Sequence, residues 1–172
     1  MLLDESIDFY LAMNLDGIST LNDLAGGVTV TLEDDFSEID PAMTKGTTLT
    51  LQGDQAETFV RSRMTVGDGT NESRMKRQEE FLSQLAAQLG QKVRASEQFT
   101  ADLYDELQPY LVTDMARGRI INEVWNARDY TLEPALELTG EHKTADDGFT
   151  EFYPDAGSVE QAVLELFWEP VE

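Results

Sequence analysis

Four arginines carry the chemistry this sequence can offer. Arg61 and Arg63 precede a glycine-bearing turn, Gly67-Asp68-Gly69, and Arg74 and Arg77 follow it. A guanidinium is permanently charged and presents a planar fork of donors, which suits it to phosphate. Arg61 and Arg63 fall at the end of a helix predicted over Gln55–Arg63, where the macrodipole favours cations. Arg74 and Arg77 fall one turn inside a second helix, Glu72–Leu89, where the dipole opposes each of them by ~0.3–1 kcal/mol. Exposed amides at that helix start, joined by the four arginines, describe a site for a multiply charged anion, most naturally a phosphate or pyrophosphate.

Helical spacing refines the placement. With Arg74 at 0° on a 100° wheel, Phe81, Leu82, Leu85 and Leu89 fall between about −20° and +80°. This arc is expected to be buried, with Arg74 inside it and Arg77 on its flank. Lys76, Glu79, Glu80 and Ser83 are expected in solvent. A guanidinium turned into protein must be paired. Its partner is either a bound anion or one of the chain's own surplus carboxylates. Three readings of Asp68 stay open: it orients an arginine, assists a proton transfer, or forms the turn with its flanking glycines.

The elements that must position these residues read as α/β, a mixed central sheet flanked by helices. Phe9–Leu15 reads as a strand or short buried segment. Ile18 to Ala25 follow helical spacing, with Asp16 as the cap and Gly26-Gly27 as the stop. Val28–Leu32 and Thr47–Leu51 read as strands around an acidic loop. Asn71 is the expected cap of the long helix and Gly90 its end. Helices are also expected at Phe99–Leu107, Met115–Arg128 and Ser158–Trp168, and strands at Leu132–Leu138 and Phe149–Tyr153.

Composition frames the site. The chain has 172 residues, enough for one domain with a core. It carries 34 acidic and 12 basic residues, a net charge of −22. As a whole it repels nucleic acid and anionic lipid surfaces. The charge is divided: residues 1–60 are net −11, 61–94 net +3 and 95–172 net −14. There is no cysteine, which excludes disulfides, zinc–thiolate sites and cysteine nucleophiles. No apolar run approaches the ~20 residues of a membrane span, and Met1 to Ser6 has no signal-peptide pattern. The early hydrophobics Leu2, Leu3, Ile7 and Phe9 read as a chain entering mid-domain.

The run Phe59-Val60-Arg61-Ser62-Arg63, then Gly67-Asp68, then Ser73-Arg74-Met75-Lys76-Arg77-Gln78, resembles the arginine motif of the LytR–CpsA–Psr family. Ala12 to Ile18, Gly26 to Val30 and Leu51 to Ala56 resemble that family in the same order. The resemblance covers residues 1–93, implying a C-terminal part of the family's catalytic domain there and a C-terminal extension at 94–172. It implies a magnesium-dependent cell-wall phosphotransferase. Such enzymes move a glycopolymer from a polyprenyl-pyrophosphate carrier to peptidoglycan on the extracytoplasmic face of the bacterial cell membrane. The family also carries an older label, transcriptional attenuator. By resemblance, Arg61, Arg63, Arg74 and Arg77 grip the pyrophosphate, with Asp68 and Gln78 in support. Against the family pattern, the loop Gly69 to Ser73 is long. The transmembrane helix and first half of the domain, with its magnesium-binding aspartates and a further arginine, are not in this sequence. The chain alone is therefore expected to bind the anionic head group weakly or not at all, and not to turn over.

Other constellations are less specific. Glu33, Asp34, Asp35, Glu38 and Asp40 form either a solvated acidic loop or a calcium chelator that lacks the usual spacing. His142, the sole histidine, is expected exposed. Arg117 and Arg119 either extend the anion site or sit on the surface. Phe149, Phe152, Tyr153, Phe167 and Trp168 either pack or dock sugars. Two other functions compete with the transferase: a non-catalytic module for anionic polyprenyl-phosphate lipids, and a structural protein whose arginines are internal ion pairs.

Overall fold

The computed structural model describes residues 7–168. The chain is α/β, as expected, and divides into two compact units, Phe9–Leu132 and a smaller one built mainly from residue 133 onward. The anticipated boundary at 93/94 falls inside a helix. Among the described residues the strands pair in three separate two-stranded antiparallel ladders.

In the larger unit, β1 (Leu11–Met13) leads into α1 (Asp16–Ala25). The start of α1 is held by Asn14, whose Oδ1 accepts from the Gly17 amide at 3.2 Å, and Asp16 lies in the first turn instead of capping it. Gly26 ends α1 in the left-handed region, φ 101°. The strand β2 (Thr29–Thr31) pairs with β3 (Thr48–Thr50), Val30 opposite Leu49. Alternation puts Val30 in the core and the threonines outside, where Thr29 bonds Thr50 and Thr31 bonds Thr48.

Two helices carry the motif. The first, α2 (Asp54–Arg61), buries Ala56, Phe59 and Val60. The second, α3 (Asn71–Ala95), starts one residue earlier than expected: Thr70 is the cap, its hydroxyl accepting from the Ser73 amide. It also runs straight through Gly90. A mid-helix glycine costs only about 1 kcal/mol, and the continued turn buries Val93 and places Lys92 and Arg94 at the C-terminal end of the dipole. Leu82, placed in the buried arc by spacing, is 53% exposed.

Ser96 then caps α4 (Glu97–Leu107), and β4 (Leu111–Thr113) returns to pair with β1. The helix α5 (Arg117–Asn126) begins two residues later than Met115, because Thr113 Oγ1 takes the Met115 amide into a turn. The core joins α1, β2, β3, α2 and α3 through Val28, Leu32, Phe36, Leu51, Phe59 and Phe81.

The smaller unit is a hairpin, β5 (Gly140–Thr144) and β6 (Thr150–Pro154), followed by α6 (Ala156–Phe167). Leu132 to Leu138 forms no ladder, contrary to expectation. The turn around Gly148, φ 85°, sets the hairpin register instead. Gly140 also lies so close to Tyr153 that a side chain there would meet its carbonyl at 2.3 Å.

Asn22 is the polar tie of the core. It is fully buried, its Oδ1 accepts from the Val28 amide at 2.9 Å, and its Nδ2 donates to the Leu51 carbonyl at 2.8 Å. Asn22→Ala strands buried partners at both ends, each costing about 1–3 kcal/mol. Urea unfolding is expected to show a lower midpoint with an unchanged slope.

Candidate functional site: an arginine-edged apolar cleft

The C-terminus of α2 needs donor partners, because the last carbonyls of any helix lack intrahelical donors. Here α3 supplies them. Arg77 Nε donates to the Phe59 carbonyl at 3.2 Å, Gln78 Nε2 to the Val60 carbonyl at 2.9 Å, and Arg77 Nη2 to the Ser62 carbonyl. Arg77 Nη1 reaches Asp34 Oδ2 at 2.8 Å, and its Cζ lies 5.4 Å from the Phe36 ring centroid. Arg77 is 6% exposed. Spacing put Arg74 in the buried arc and Arg77 on its flank; the structure reverses that order. The reason is tertiary: the carbonyls and the Asp34 carboxylate that can satisfy a buried guanidinium stand beside Arg77.

Arg74 is half-buried. Its Nη2 donates to Asn71 Oδ1, while its Nε is buried without a hydrogen-bond partner. It lines a cleft of about 520 Å³ together with Arg61, Gln78, Met13, Leu15, Ile18, Leu21, Val60, Phe81, Leu82 and Leu85. Eight of these eleven residues are aliphatic or aromatic and none is a carboxylate. The structure thus brings Arg61, Arg74 and Gln78 to one cleft. Arg61 also pairs with Glu57 at 2.7 Å but stays exposed. Arg63 is exposed on the following loop, with Met64 Sδ as its hydrogen-bond partner. Arg63, Asp68 and Arg77 are outside the cleft lining.

Asp68 organises the loop. Its Oδ1 accepts from the Thr70 amide at 2.9 Å, the Ser73 hydroxyl at 2.7 Å and the Thr70 hydroxyl at 2.8 Å. These bonds, led by the Thr70 amide, hold its pKa down to about 2. A carboxylate so stabilised is a poor proton acceptor at neutral pH. Its local role is the turn and the start of α3.

Sequence reasoning missed Asp34, placed in a solvated acidic run. It pairs with Arg77 from 43 positions away, a separation that leaves no periodic signal. Its neighbours are used too: Glu33 binds Lys76 at 2.7 Å, Asp35 accepts from the Ser37 amide, and Asp40 from the Ala42 amide and Gln55. Among the described residues no group of three or more His, Asp or Glu residues could hold a metal ion.

Arg117 is bound by both oxygens of Asp105, and Arg119 pairs with Glu123 and lies over Phe9. His142 is exposed against the Phe152 ring. Phe149, Phe152, Tyr153, Phe167 and Trp168 are all exposed.

A family model, that of the LytR_cpsA_psr family, matches residues 1–165. The chain belongs to the LytR_cpsA_psr family. Biofilm regulatory protein A of Streptococcus mutans is 36% identical over 91 residues, 49% of this chain and 22% of that protein. A Bacillus cereus relative, polyisoprenyl-teichoic acid–peptidoglycan teichoic acid transferase TagU, is 26% identical over 161 residues, 90% of this chain and 50% of that protein. The chain therefore spans half or less of these relatives' lengths. The crystal structure of Bacillus subtilis TagV shares the fold, with TM-score 0.68 and 20% identity over 98% of this chain and 68% of that one.

The Asp68 contacts have a pH consequence. Its folded pKa of about 2 lies below the ordinary 3.8. The stability it adds is fully present above 3.8 and is lost as pH falls towards about 2. Carboxyl titration by NMR is expected to give a midpoint near about 2 for Asp68. The stability gap between the wild type and Asp68→Ala is expected to close across the same interval. An ordinary midpoint would contradict the loop geometry.

Proposed function

We propose that this chain binds the pyrophosphate end of a polyprenyl-linked glycopolymer and serves its transfer to peptidoglycan. The observation that carries this reading is the cleft itself. An apolar groove suited to a hydrocarbon chain is edged by Arg61 and Arg74, and the buried Arg74 Nε still lacks an acceptor. Buried donors without partners are rare in native proteins, and a phosphate oxygen would satisfy this one. Family membership and the activity printed in the TagU name support the same substrate class.

In this reading the lipid chain lies along Ile18, Leu21, Phe81 and Leu85. The phosphates face Arg61 and Arg74, with Gln78 beside them and Arg63 reaching in from the loop. A peptidoglycan sugar hydroxyl attacks the phosphorus that carries the glycopolymer. The bond to the bridging oxygen breaks, and the lipid phosphate leaves. Arginines stabilise the charge that grows on that leaving group, the usual dominant contribution in phosphoryl transfer. Arg77, occupied inside the protein, supports the site from behind. The hydroxyl proton leaves with the departing lipid phosphate, because Asp68, with its pKa of about 2, is a poor acceptor for it.

Magnesium, which the family resemblance implies, fits no donor set here. The cleft is lined by arginines, an amide and apolar side chains, a poor match to a hard cation that prefers carboxylates and water. No step above runs through it. In a second reading this chain uses the same cleft to bind the carrier lipid without turnover. In the transfer reading the protein acts at the extracytoplasmic face of the cell membrane, where peptidoglycan is the acceptor. No described helix is long and apolar enough to cross a membrane.

Titration with farnesyl pyrophosphate, followed by ³¹P NMR, tests the proposal. Arg74→Ala and Arg61→Gln are each expected to weaken binding by about tenfold or more, the loss of a charge-assisted hydrogen bond. Farnesol binding is expected to stay unchanged. Equal farnesyl pyrophosphate affinity for wild type and both variants would falsify the anion role. Transfer of a lipid-linked glycopolymer by the chain separates the transferase from the binding module.

A further inference from the structure

Arg77 grips the polypeptide at the point where α2 ends and the arginine loop begins. Ser62 lies between Arg61 and Arg63, has left helical geometry (φ −60°, ψ 137°), and gives its carbonyl to Arg77 Nη2. The angle at which the chain leaves α2 therefore depends on where that guanidinium is held. One side chain holds it with opposite charge: Asp34, on the loop after β2, at 2.8 Å. The Asp34 carboxylate also forms the floor of the loop. At Gly67, φ 60°, an added Cβ would lie 2.6 Å from both Asp34 Cγ and Oδ1. Only a residue without a side chain can rest there.

We propose that Asp34 is a positioning residue for the Arg61–Arg63 pair, acting through Arg77 on the Ser62 carbonyl and directly beneath Gly67. It orients the Arg77 fork so that two of its nitrogens meet the Phe59 and Ser62 carbonyls. Those contacts aim Arg61 and Arg63, the one closing α2 and the other opening the loop. Arg77 thus contributes to anion recognition without touching the anion, and the acidic run that sequence reads as solvated surface holds the brace. The proposal deepens the pyrophosphate reading and rests on it for its purpose.

The test compares the wild-type chain with Asp34→Asn, which removes the charge and keeps the shape. Trypsin nicking after Arg61 and Arg63 in the folded protein reads how firmly the loop is held, with no ligand present. Farnesyl pyrophosphate titration by ³¹P NMR reads the site. Asp34→Asn is expected to speed nicking at both arginines by about tenfold or more, since an unpaired buried guanidinium releases the carbonyls it held. It is expected to weaken farnesyl pyrophosphate binding by about tenfold, leaving farnesol binding unchanged. Asp34→Glu keeps the charge on a longer stem and is expected to restore part of both effects. It also carries the comparison where Asp34→Asn does not fold. Unchanged nicking overturns the brace. Faster nicking with unchanged pyrophosphate affinity overturns the positioning role and leaves only a fold contact. Faster nicking when the wild type itself ignores farnesyl pyrophosphate supports the brace and overturns the phosphate reading instead.

Discussion

A buried cation ties separate segments of this fold together. The Arg77 guanidinium is almost fully enclosed, and a charge so placed must have partners on every side it presents. Three segments supply them to a side chain rooted on α3: the loop after β2 through Asp34 and Phe36, the end of α2 through Phe59, and the start of the arginine loop through Ser62. Removing one member of a buried pair typically costs about 3–5 kcal/mol, against a total stability of about 5–15 kcal/mol for a domain. The mutual placement of α2, α3 and the loop between them is tied to this one residue.

The arginines of the motif divide the work that this constraint creates. Arg77 and Gln78 cap a neighbouring helix, and Gln78 also lines the cleft. Arg61 and Arg74 stand where an apolar groove meets polar surface, and Arg63 stays exposed on the loop. A net charge of −22 looks hostile to an anion site. Many of those carboxylates are committed elsewhere: Asp34 inside the brace, Glu33 to Lys76, Asp105 to Arg117. Asp68, an acid within the motif, is held by amide and hydroxyl donors at the start of α3. None lines the cleft. Position, not total charge, decides what such a surface attracts, because screening confines exposed charges to about 8–10 Å.

The helices were legible wherever a local rule applied. Gly26-Gly27 ends α1 because left-handed backbone favours glycine, and alternation identifies β2 and β3. Local rules failed where a distant partner overrode them. Gly90 sits mid-helix because the added turn buries Val93. The strand expected at Leu132 to Leu138 gives way to Gly140–Thr144, whose polar side chains carry no strand signal and whose register comes from the Gly148 turn. The wheel drawn on α3 located its buried face through Phe81 and Leu85, yet exchanged the burial of Arg74 and Arg77.

The sequence by itself determined the family and the motif. The order of the motifs is linear information, readable before any tertiary contact is known. Only the tertiary structure decided which arginine is free and which is a brace. Burial of a charge is settled by the acceptors beside it, and those of Arg77 come from residues 15 to 43 positions away. No periodicity along α3 encodes them. The same holds for Asp34, an ordinary acid in an acidic run until the fold sets it against Arg77 and beneath Gly67.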